Sequence, residues 1–204
     1  MAADYAAAEV IWSGGTTTLL GLTKILSGIA ENDTSQDEVL ALYLDMAGTA
    51  CEQYIDNKIV AQDVTELFAK SRSPVDLRYW PVGDLTNVTI DGVDVTADFE
   101  AYTSDGIQWQ AKESSGSSCS TGFEQMSITY SAGFDPVPSD LGFVLARTSM
   151  AYSNQAGGVG AVKKESVVGV GSIEYQTDED SEGSSGFISS ASVSVLEQYR
   201  RYRV

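Results

Sequence analysis

Apolar residues recur at helical spacing in several segments of the chain, and polar or glycine-containing stretches separate these segments. A repeat of about 3.6 residues places such side chains on one face of a helix, where they can be buried. The pattern predicts helices over residues 16–29, 36–57, 63–70, 139–155 and 188–202.

The helix predicted over residues 36–57 has the most complete pattern. Ser35 and Glu38 have the spacing of a capping box, in which each side chain bonds to the backbone N–H of the other residue. The predicted buried face of this helix is the stripe Val39, Leu40, Tyr43, Met46, Ala47, Ala50 and Tyr54. Asp63 is the predicted cap of the short helix that follows, and its predicted inward side chains are Val64, Leu67 and Phe68.

After Pro74 the pattern changes from helical to alternating, which predicts strands. Asp91-Gly92 lies between two such strands and is typical of a two-residue hairpin turn. Further strands are predicted around Asp105-Gly106, at residues 126–130 and at 162–175. The sequence therefore predicts an α+β fold, with a small α-helical bundle, an inserted antiparallel β domain and a C-terminal helix and tail.

These patterns divide the chain into consecutive segments. The Ala-rich start, which ends in Ser13-Gly14-Gly15, predicts a flexible N-terminal arm over residues 1–15. The remaining segments are a first part of the helical bundle at 16–73, a β insertion at 74–135, a second part of the bundle at 136–158, and a β ribbon, an acidic linker and a C-terminal docking helix at 159–204.

The composition excludes most catalytic chemistry. The chain has no histidine, and its two cysteines, Cys51 and Cys119, lie far apart. This removes the usual general base, the usual zinc ligand and the common nucleophile–base pairs. We therefore expect no catalytic residue, no metal site and no cofactor. A carboxylate-based enzyme is kept as an alternative, because the 29 acidic residues leave that chemistry open.

The formal net charge of −17 disfavours binding to nucleic acid, since phosphates carry charge of the same sign. An acidic surface suits a passage that DNA crosses without being held, and it also suits solubility alone. No apolar run reaches the roughly 20 residues of a membrane span, and Met1–Tyr5 lacks the basic start of a secretory signal. We expect synthesis in the cytosol and no membrane partner.

Short motifs follow one another in an order that is similar to a known family. They are Asp37-Glu38 through Glu52-Gln-Tyr-Ile55, Arg78-Tyr-Trp-Pro-Val82, Val88-Thr-Ile-Asp-Gly92, Tyr130-Ser-Ala-Gly-Phe134, Ser172-Ile-Glu-Tyr175 and Leu196 through Tyr199-Arg-Arg201. In this order and spacing, residues 22–201 resemble the head-tail connector (adaptor) proteins of tailed bacteriophages.

The resemblance implies a structural virion protein of the phage neck and no enzyme. It implies a ring of about twelve copies under the portal, closed by head-to-tail contacts, which links the capsid to the tail and leaves a DNA channel. The implied partners are further copies of itself, the portal protein, a stopper or tail-completion protein, and passing DNA without specific binding. The implied location is the virion neck, with assembly in the host cytoplasm. The alternative is another neck or tail-completion protein (stopper or terminator), which we expect to be mostly β.

The candidate interface residues concentrate at the C-terminus. Tyr199, Arg200, Arg201, Tyr202 and Arg203 form a basic, aromatic end in an acidic chain. Cations at a helix C-terminus can simply complement the macrodipole, but connector C-termini tend to engage the portal, so we predict a portal interface here. Two tryptophans are further interface candidates: Trp12 on the arm, and Trp80, for which core packing fits equally well.

Overall fold

The computed structural model describes residues 3–12, 15–69, 75–104, 108–113, 125–156, 164–167, 171–174 and 188–200. The chain forms two compact units. One, called the β unit below, contains Asn57–Asp135. The other, called the helical unit, joins Asp4–Asp56 to Pro136–Val204. The Ser/Gly-rich sequence at 113–122 predicts a projecting loop, and the acidic linker predicted within residues 159–204 corresponds to 177–186. Apart from Glu113, these residues lie outside the described ones.

The helical unit is built on helices α1 (Leu19–Ser27), α2 (Asp37–Ile55), α3 (Ser139–Ala156) and α4 (Ser190–Tyr199). Helix α3 packs on each of the other three. The fully buried side chains at these contacts include Leu19, Leu44, Leu141, Leu145 and Leu196. The predicted helical bundle is thereby confirmed: α1, α2 and α4 lie inside segments with a predicted helical repeat, and α3 extends one residue beyond its predicted end.

The start and the buried face of α2 differ from the prediction. Gln36 is the N-cap and makes no capping hydrogen bond with its side chain. The Ser35 N–H and hydroxyl instead donate to Asp33 Oδ1, at 3.0 and 2.7 Å, so the capping box does not form. The buried face of α2 consists of Leu40, Leu44, Ala47, Gly48, Cys51 and Ile55. The predicted stripe was therefore wrong at Val39 and Met46, which are exposed, because α2 carries apolar residues on more than one face.

Residues near the N-terminus belong to the helical unit, in contrast to the flexible arm predicted over residues 1–15. Strand β1 (Glu9–Trp12) pairs antiparallel with β2 (Gly15–Thr18) and parallel with β10 (Val137–Pro138). Tyr5 and Val10 are buried, at 5% and 1% exposure. The sequence pattern did not reveal this strand, because its parallel partner lies far along the chain, with Val10 opposite Val137.

The β unit contains a four-stranded antiparallel sheet in the order β3-β9-β5-β6. Its strands are β3 (Gln62–Ala69), β5 (Val82–Ile90), β6 (Val93–Asp94) and β9 (Gln125–Ala132). A three-stranded sheet has the order β4-β8-β7, from β4 (Val75–Asp76), β7 (Phe99–Ser104) and β8 (Gln108–Glu113). The main core of the unit is formed by Val75, Leu77, Val82, Val88, Phe99, Met126, Ile128, Tyr130 and Ala132. These sheets confirm the predicted inserted β domain.

The short helix predicted over residues 63–70 was wrong. Residues 62–69 are strand β3, paired with β9 from Gln62 opposite Ala132 to Ala69 opposite Gln125. Burial alternates along β3, so Phe68 is half-buried while Leu67, predicted to point inward, is 68% exposed. A long antiparallel partner stabilises the extended form, and a local helical repeat of three apolar residues is too weak to compete with it.

The predicted hairpin turn at Asp91-Gly92 is confirmed. Both residues have positive φ, 49° and 84°, and Ile90 pairs with Val93. Pairing of β7 with β8 confirms the strand pair predicted around Asp105-Gly106, although residues 105–107 themselves are outside the description. A separate ribbon, β11 (Lys164–Val167) and β12 (Gly171–Glu174), lies within the predicted 162–175 strand pair. Among the described residues, no helix is long and apolar enough to cross a membrane.

Candidate assembly surfaces

The C-terminal helix α4 is anchored in the helical unit. Ser189 caps it: the Ser192 N–H donates to the Ser189 hydroxyl at 3.3 Å. Leu196 is fully buried, and α4 contacts both α2 and α3. The element predicted to dock a partner is therefore also a structural helix of the bundle.

Tyr199, the last residue of α4, is held by a carboxylate of α3. Its hydroxyl donates to Asp140 Oδ2 at 2.8 Å and lies 3.0 Å from Oδ1. Burial and the Asp140 carboxylate raise the pKa of Tyr199 to about 12. Asp140 lies in the first turn of α3, where a negative charge is favoured by the helix dipole. Tyr199 thus acts inside the unit as a hydrogen-bond donor.

Arg200 also has partners within the helical unit. Its Nη1 lies 3.1 Å from Glu197 Oε1, and its Cζ lies 5.5 Å from the centre of the Tyr54 ring. The Tyr54 hydroxyl donates to the same Glu197 oxygen at 2.5 Å. The Arg200 side chain is 44% exposed, so this ion pair is a weak contact, worth about 0–1 kcal/mol. Arg201, Tyr202 and Arg203 lie outside the described residues.

Sequence reasoning named Tyr199 and Arg200 but did not find their partners. Asp140 is 59 residues from Tyr199, and Tyr54, whose ring lies beside Arg200, is 143 residues from Glu197. No local spacing connects residues so far apart. Two local signals were available: Asp140 lies at a predicted helix start, where an acidic side chain can accept from a partner, and Glu197 precedes Arg200 by three residues, the spacing of neighbours on a helix.

Trp80 is a packed residue of the β unit. Its ring contacts Phe134 edge-on, with the centroids 5.8 Å apart. Its backbone N–H donates to Asn57 Oδ1 at 2.9 Å, and its carbonyl accepts from Asn57 Nδ2 at 2.8 Å. Asn57 is only 1% exposed. These contacts agree with core packing of Trp80, which as a residue is half-buried. Trp12 ends β1, with its backbone opposite Gly15.

The structure brings together the Arg78–Val82 and Tyr130–Phe134 motifs. Gly133 N–H donates to the Pro81 carbonyl at 3.1 Å, and Phe134 N–H donates to the Ile59 carbonyl at 2.9 Å. A side chain at Gly133 would lie 2.6 Å from the Val60 backbone, and its φ of 109° also favours glycine. The two motifs therefore have a structural role in the β unit: their backbone hydrogen bond joins the end of β9 to the residues just before β5.

Tyr130 completes this junction from the sheet. Its hydroxyl donates to Glu66 Oε1 and accepts from the Tyr79 N–H at 3.1 Å. The same Glu66 oxygen accepts from the Arg78 N–H at 2.9 Å. Burial, with the nearby Glu66 carboxylate, raises the pKa of Tyr130 well above its ordinary value. The hydroxyl thus stays protonated and acts as a structural donor.

Reactive groups are sparse in the part of the chain that the structure describes. No group of three or more histidine, cysteine, aspartate or glutamate side chains is placed there to hold a metal ion. Cys51 is fully buried, and burial raises its pKa to about 12, which keeps it a thiol at neutral pH. A protonated, buried thiol is a poor nucleophile.

Comparison with known proteins gave matches among solved structures. No family model and no curated protein matches the chain. A chain in the neck of an empty gene transfer agent (GTA) particle, computed with C6 symmetry, superposes with a TM-score of 0.59 at 15% identity, over 91% of this chain and 90% of that one. The chain has the fold of a GTA neck chain.

Two further structures of such particles give the same result. The virion of the native GTA particle contains a chain with a TM-score of 0.55 and 16% identity, over 86% of this chain and 82% of that one. The neck of the native GTA particle, computed with C12 symmetry, gives 0.53 and 14%, over 92% and 94%. The neck fold agrees with the resemblance to head-tail connectors that the sequence motifs indicate.

Proposed function

We propose that this protein is a non-enzymatic structural component of a phage-type neck, a connector (adaptor) that assembles as a closed ring between portal and tail. The observation that carries the proposal is the shared fold with chains of GTA necks, over about nine-tenths of both chains in the two neck structures. Those necks were computed with C6 and C12 symmetry, which supports a cyclic assembly of about twelve copies for this chain.

The charge of the chain supports a channel role. Each copy carries a formal charge of −17, so a ring of copies forms an acidic wall that repels DNA phosphates. Screening confines this repulsion to roughly 8 Å at physiological salt, so DNA can pass through the ring without being bound. DNA is therefore a passing partner in the proposal.

We favour an adaptor over a stopper because of the helical unit. A stopper is expected to be mostly β. In this chain the helical unit, which is built on α1 to α4, contains more residues than the β unit. The partners that follow from an adaptor are the portal on one side and a stopper or tail-completion protein on the other. The virion neck is the proposed location, with assembly in the host cytoplasm.

The proposed portal contact is the C-terminal segment Tyr199 to Arg203. Three arginines and two tyrosines in this segment offer charge-assisted hydrogen bonds and rigid apolar area to an acidic partner surface. Because Tyr199 anchors α4 through Asp140, the residues left to contact the portal are Arg200 and those that follow it. Trp12 and Trp80 are secondary candidates, and the internal packing of Trp80 ranks it below the C-terminus.

Imaging and binding experiments test the proposal. Purified protein should form rings in negative-stain images, alone or when mixed with its portal, and native mass spectrometry should give the copy number.

A chain truncated after Tyr199 should keep its fold by circular dichroism and lose portal binding in calorimetry. Arg78→Ala in the β unit is the matched control for the loss of a cation and should bind normally. A protein that stays monomeric and does not bind portal would refute the adaptor role.

A further inference from the structure

Helix α2 has two apolar faces, and the helical unit buries only one of them. Leu40, Leu44, Ala47 and Cys51 repeat at helical spacing and form the buried face. Val39, Leu42 and Met46 also repeat at helical spacing, on the opposite side, and are 51%, 58% and 42% exposed. We call these three residues the α2 outer stripe. Exposed apolar residues in a contiguous row, unlike single ones, are a mark of an interaction surface.

Helix α3 offers a second exposed surface of different charge. It is buried on nearly all sides, but Phe143 is 44% exposed and Arg147 stacks over its ring, with Cζ 5.8 Å from the centroid. Arg147 also borders a groove of about 220 Å³, which Met150, Asn154 and Ser192 line as well. We call Phe143 and Arg147 the α3 outer pair.

The two surfaces are complementary. Glu38 and Asp45 are exposed beside the α2 outer stripe, so that surface is apolar with an acidic border. The α3 outer pair is apolar with a cation. Phenylalanine, methionine and arginine are enriched in interface cores, and opposite charges across an interface fix its register.

The stripe and the pair lie outside the packing of α2 on α3 within one copy. Helices α2 and α3 pack through their buried faces, and both surfaces are exposed. A closed ring needs such an arrangement: two different surfaces on each copy, one for each neighbour, in a head-to-tail contact.

We propose that the α2 outer stripe of one copy packs on the α3 outer pair of the next, with Arg147 facing Glu38 and Asp45. The occupant of the stripe is thus a second copy of this chain. This inference rests on the proposed ring, which the experiment below tests separately.

Two charged variants test the contact in a way that a general loss of stability cannot imitate. Leu42→Glu disables the stripe and leaves the pair intact, while Phe143→Glu does the reverse. Each protein alone should be a folded monomer by light scattering and circular dichroism. Mixed together they should form a one-to-one dimer and no ring, because only one functional contact remains. If Phe143→Glu alone formed a dimer, stripe would pack on stripe and the head-to-tail pairing would be wrong.

Charge reversal tests the register. Asp45→Arg and Arg147→Asp should each reduce the ring fraction, and the double variant should restore it. Leu67→Glu, at a 68% exposed leucine of the β unit, is the matched control and should leave rings intact. Rings that survive Leu42→Glu would overturn this inference alone. A wild-type protein that forms no ring, with or without portal, would overturn the proposed function and the inference together.

Discussion

The Tyr199 hydroxyl donates to the Asp140 carboxylate at 2.8 Å, which joins the end of α4 to the first turn of α3. This contact assigns a structural role to a residue that the sequence marks as a docking anchor. It also decides where a C-terminal truncation can be made. A chain that ends before Tyr199 loses part of the bundle, and its failure to bind a partner would say nothing about docking.

Replacing Tyr199 with phenylalanine should destabilise the protein by about 1–2 kcal/mol. The change removes a hydrogen bond to a charged acceptor and leaves Asp140 with one donor fewer. Urea unfolding followed by circular dichroism measures the effect. Tyr43→Phe on α2 is the matched control, because Tyr43 is a half-buried residue whose hydroxyl has no hydrogen-bond partner among the described residues. Equal stability of the two variants would mean that the Asp140 contact contributes nothing.

Alkaline pH should weaken the same contact. The pKa of Tyr199 rises from its ordinary value of 10.0 to about 12, mainly through burial and then through Asp140. A pKa that is higher in the folded state means that folding favours the protonated form. The stabilisation is therefore complete below pH 10 and is lost as the pH rises through 12.

Unfolding measured between pH 9 and 12 should show this loss in the wild-type protein. Tyr5 and Tyr130 also have raised pKa values, through burial. The fall of the unfolding free energy with pH therefore reflects more than one proton. The informative quantity is the difference between wild type and Tyr199→Phe, whose stability curve should be flatter in this range. Parallel curves would contradict the assignment.

Gly48→Ala should destabilise the helical unit, although alanine is normally the better helix residue by about 1 kcal/mol. A Cβ at Gly48 would lie 2.3 Å from the Tyr5 ring, which is itself buried at 5% exposure. Overpacking of this kind costs roughly 1–3 kcal/mol, which exceeds the gain in helix propensity. Thr49→Ala, at the exposed next position, is the control and should be neutral or slightly stabilising. Stabilisation by Gly48→Ala would mean that Tyr5 can move away easily.

The parts of the fold that could be predicted are those with local signals. Leu141, Leu145 and Thr148 repeat at helical spacing, and Asp91-Gly92 specifies a turn from two adjacent residues. Strand β3 could not be predicted, because its partner β9 lies far along the chain and its own residues also fit a helical turn. The N-terminal strand was missed for the same reason, since β10 pairs with it from the distant start of α3.

The candidate surfaces divide in the same way. Tyr199 and Arg200 could be named from composition alone, as aromatic and basic residues in an acidic chain. Their partners Asp140 and Tyr54 depend on how the helices pack. The two apolar faces of α2 were merged into one predicted stripe, because the sequence does not say which face meets α3. Burial of Leu44 and exposure of Leu42 make the distinction.

Asn57→Ala should destabilise the β unit by about 2–3 kcal/mol, because it removes two hydrogen bonds and leaves the backbone N–H and carbonyl of Trp80 without their partner. The side chain is only 1% exposed, so water reaches it poorly. Urea unfolding followed by tryptophan fluorescence measures the change. Asn87→Ala, at an exposed position of β5, is the control and should shift stability by no more than about 0.5 kcal/mol. Asn57→Asp separates the two bonds. It keeps an acceptor for the Trp80 N–H, loses the donor to the Trp80 carbonyl and buries a charge. The stability of this variant should therefore rise toward that of the wild type when acid protonates the new carboxylate. If Asn57→Ala were as stable as Asn87→Ala, the two Asn57 hydrogen bonds would not hold Trp80 in place, and the argument that ranks Trp80 below the C-terminus as an interface candidate would be weakened.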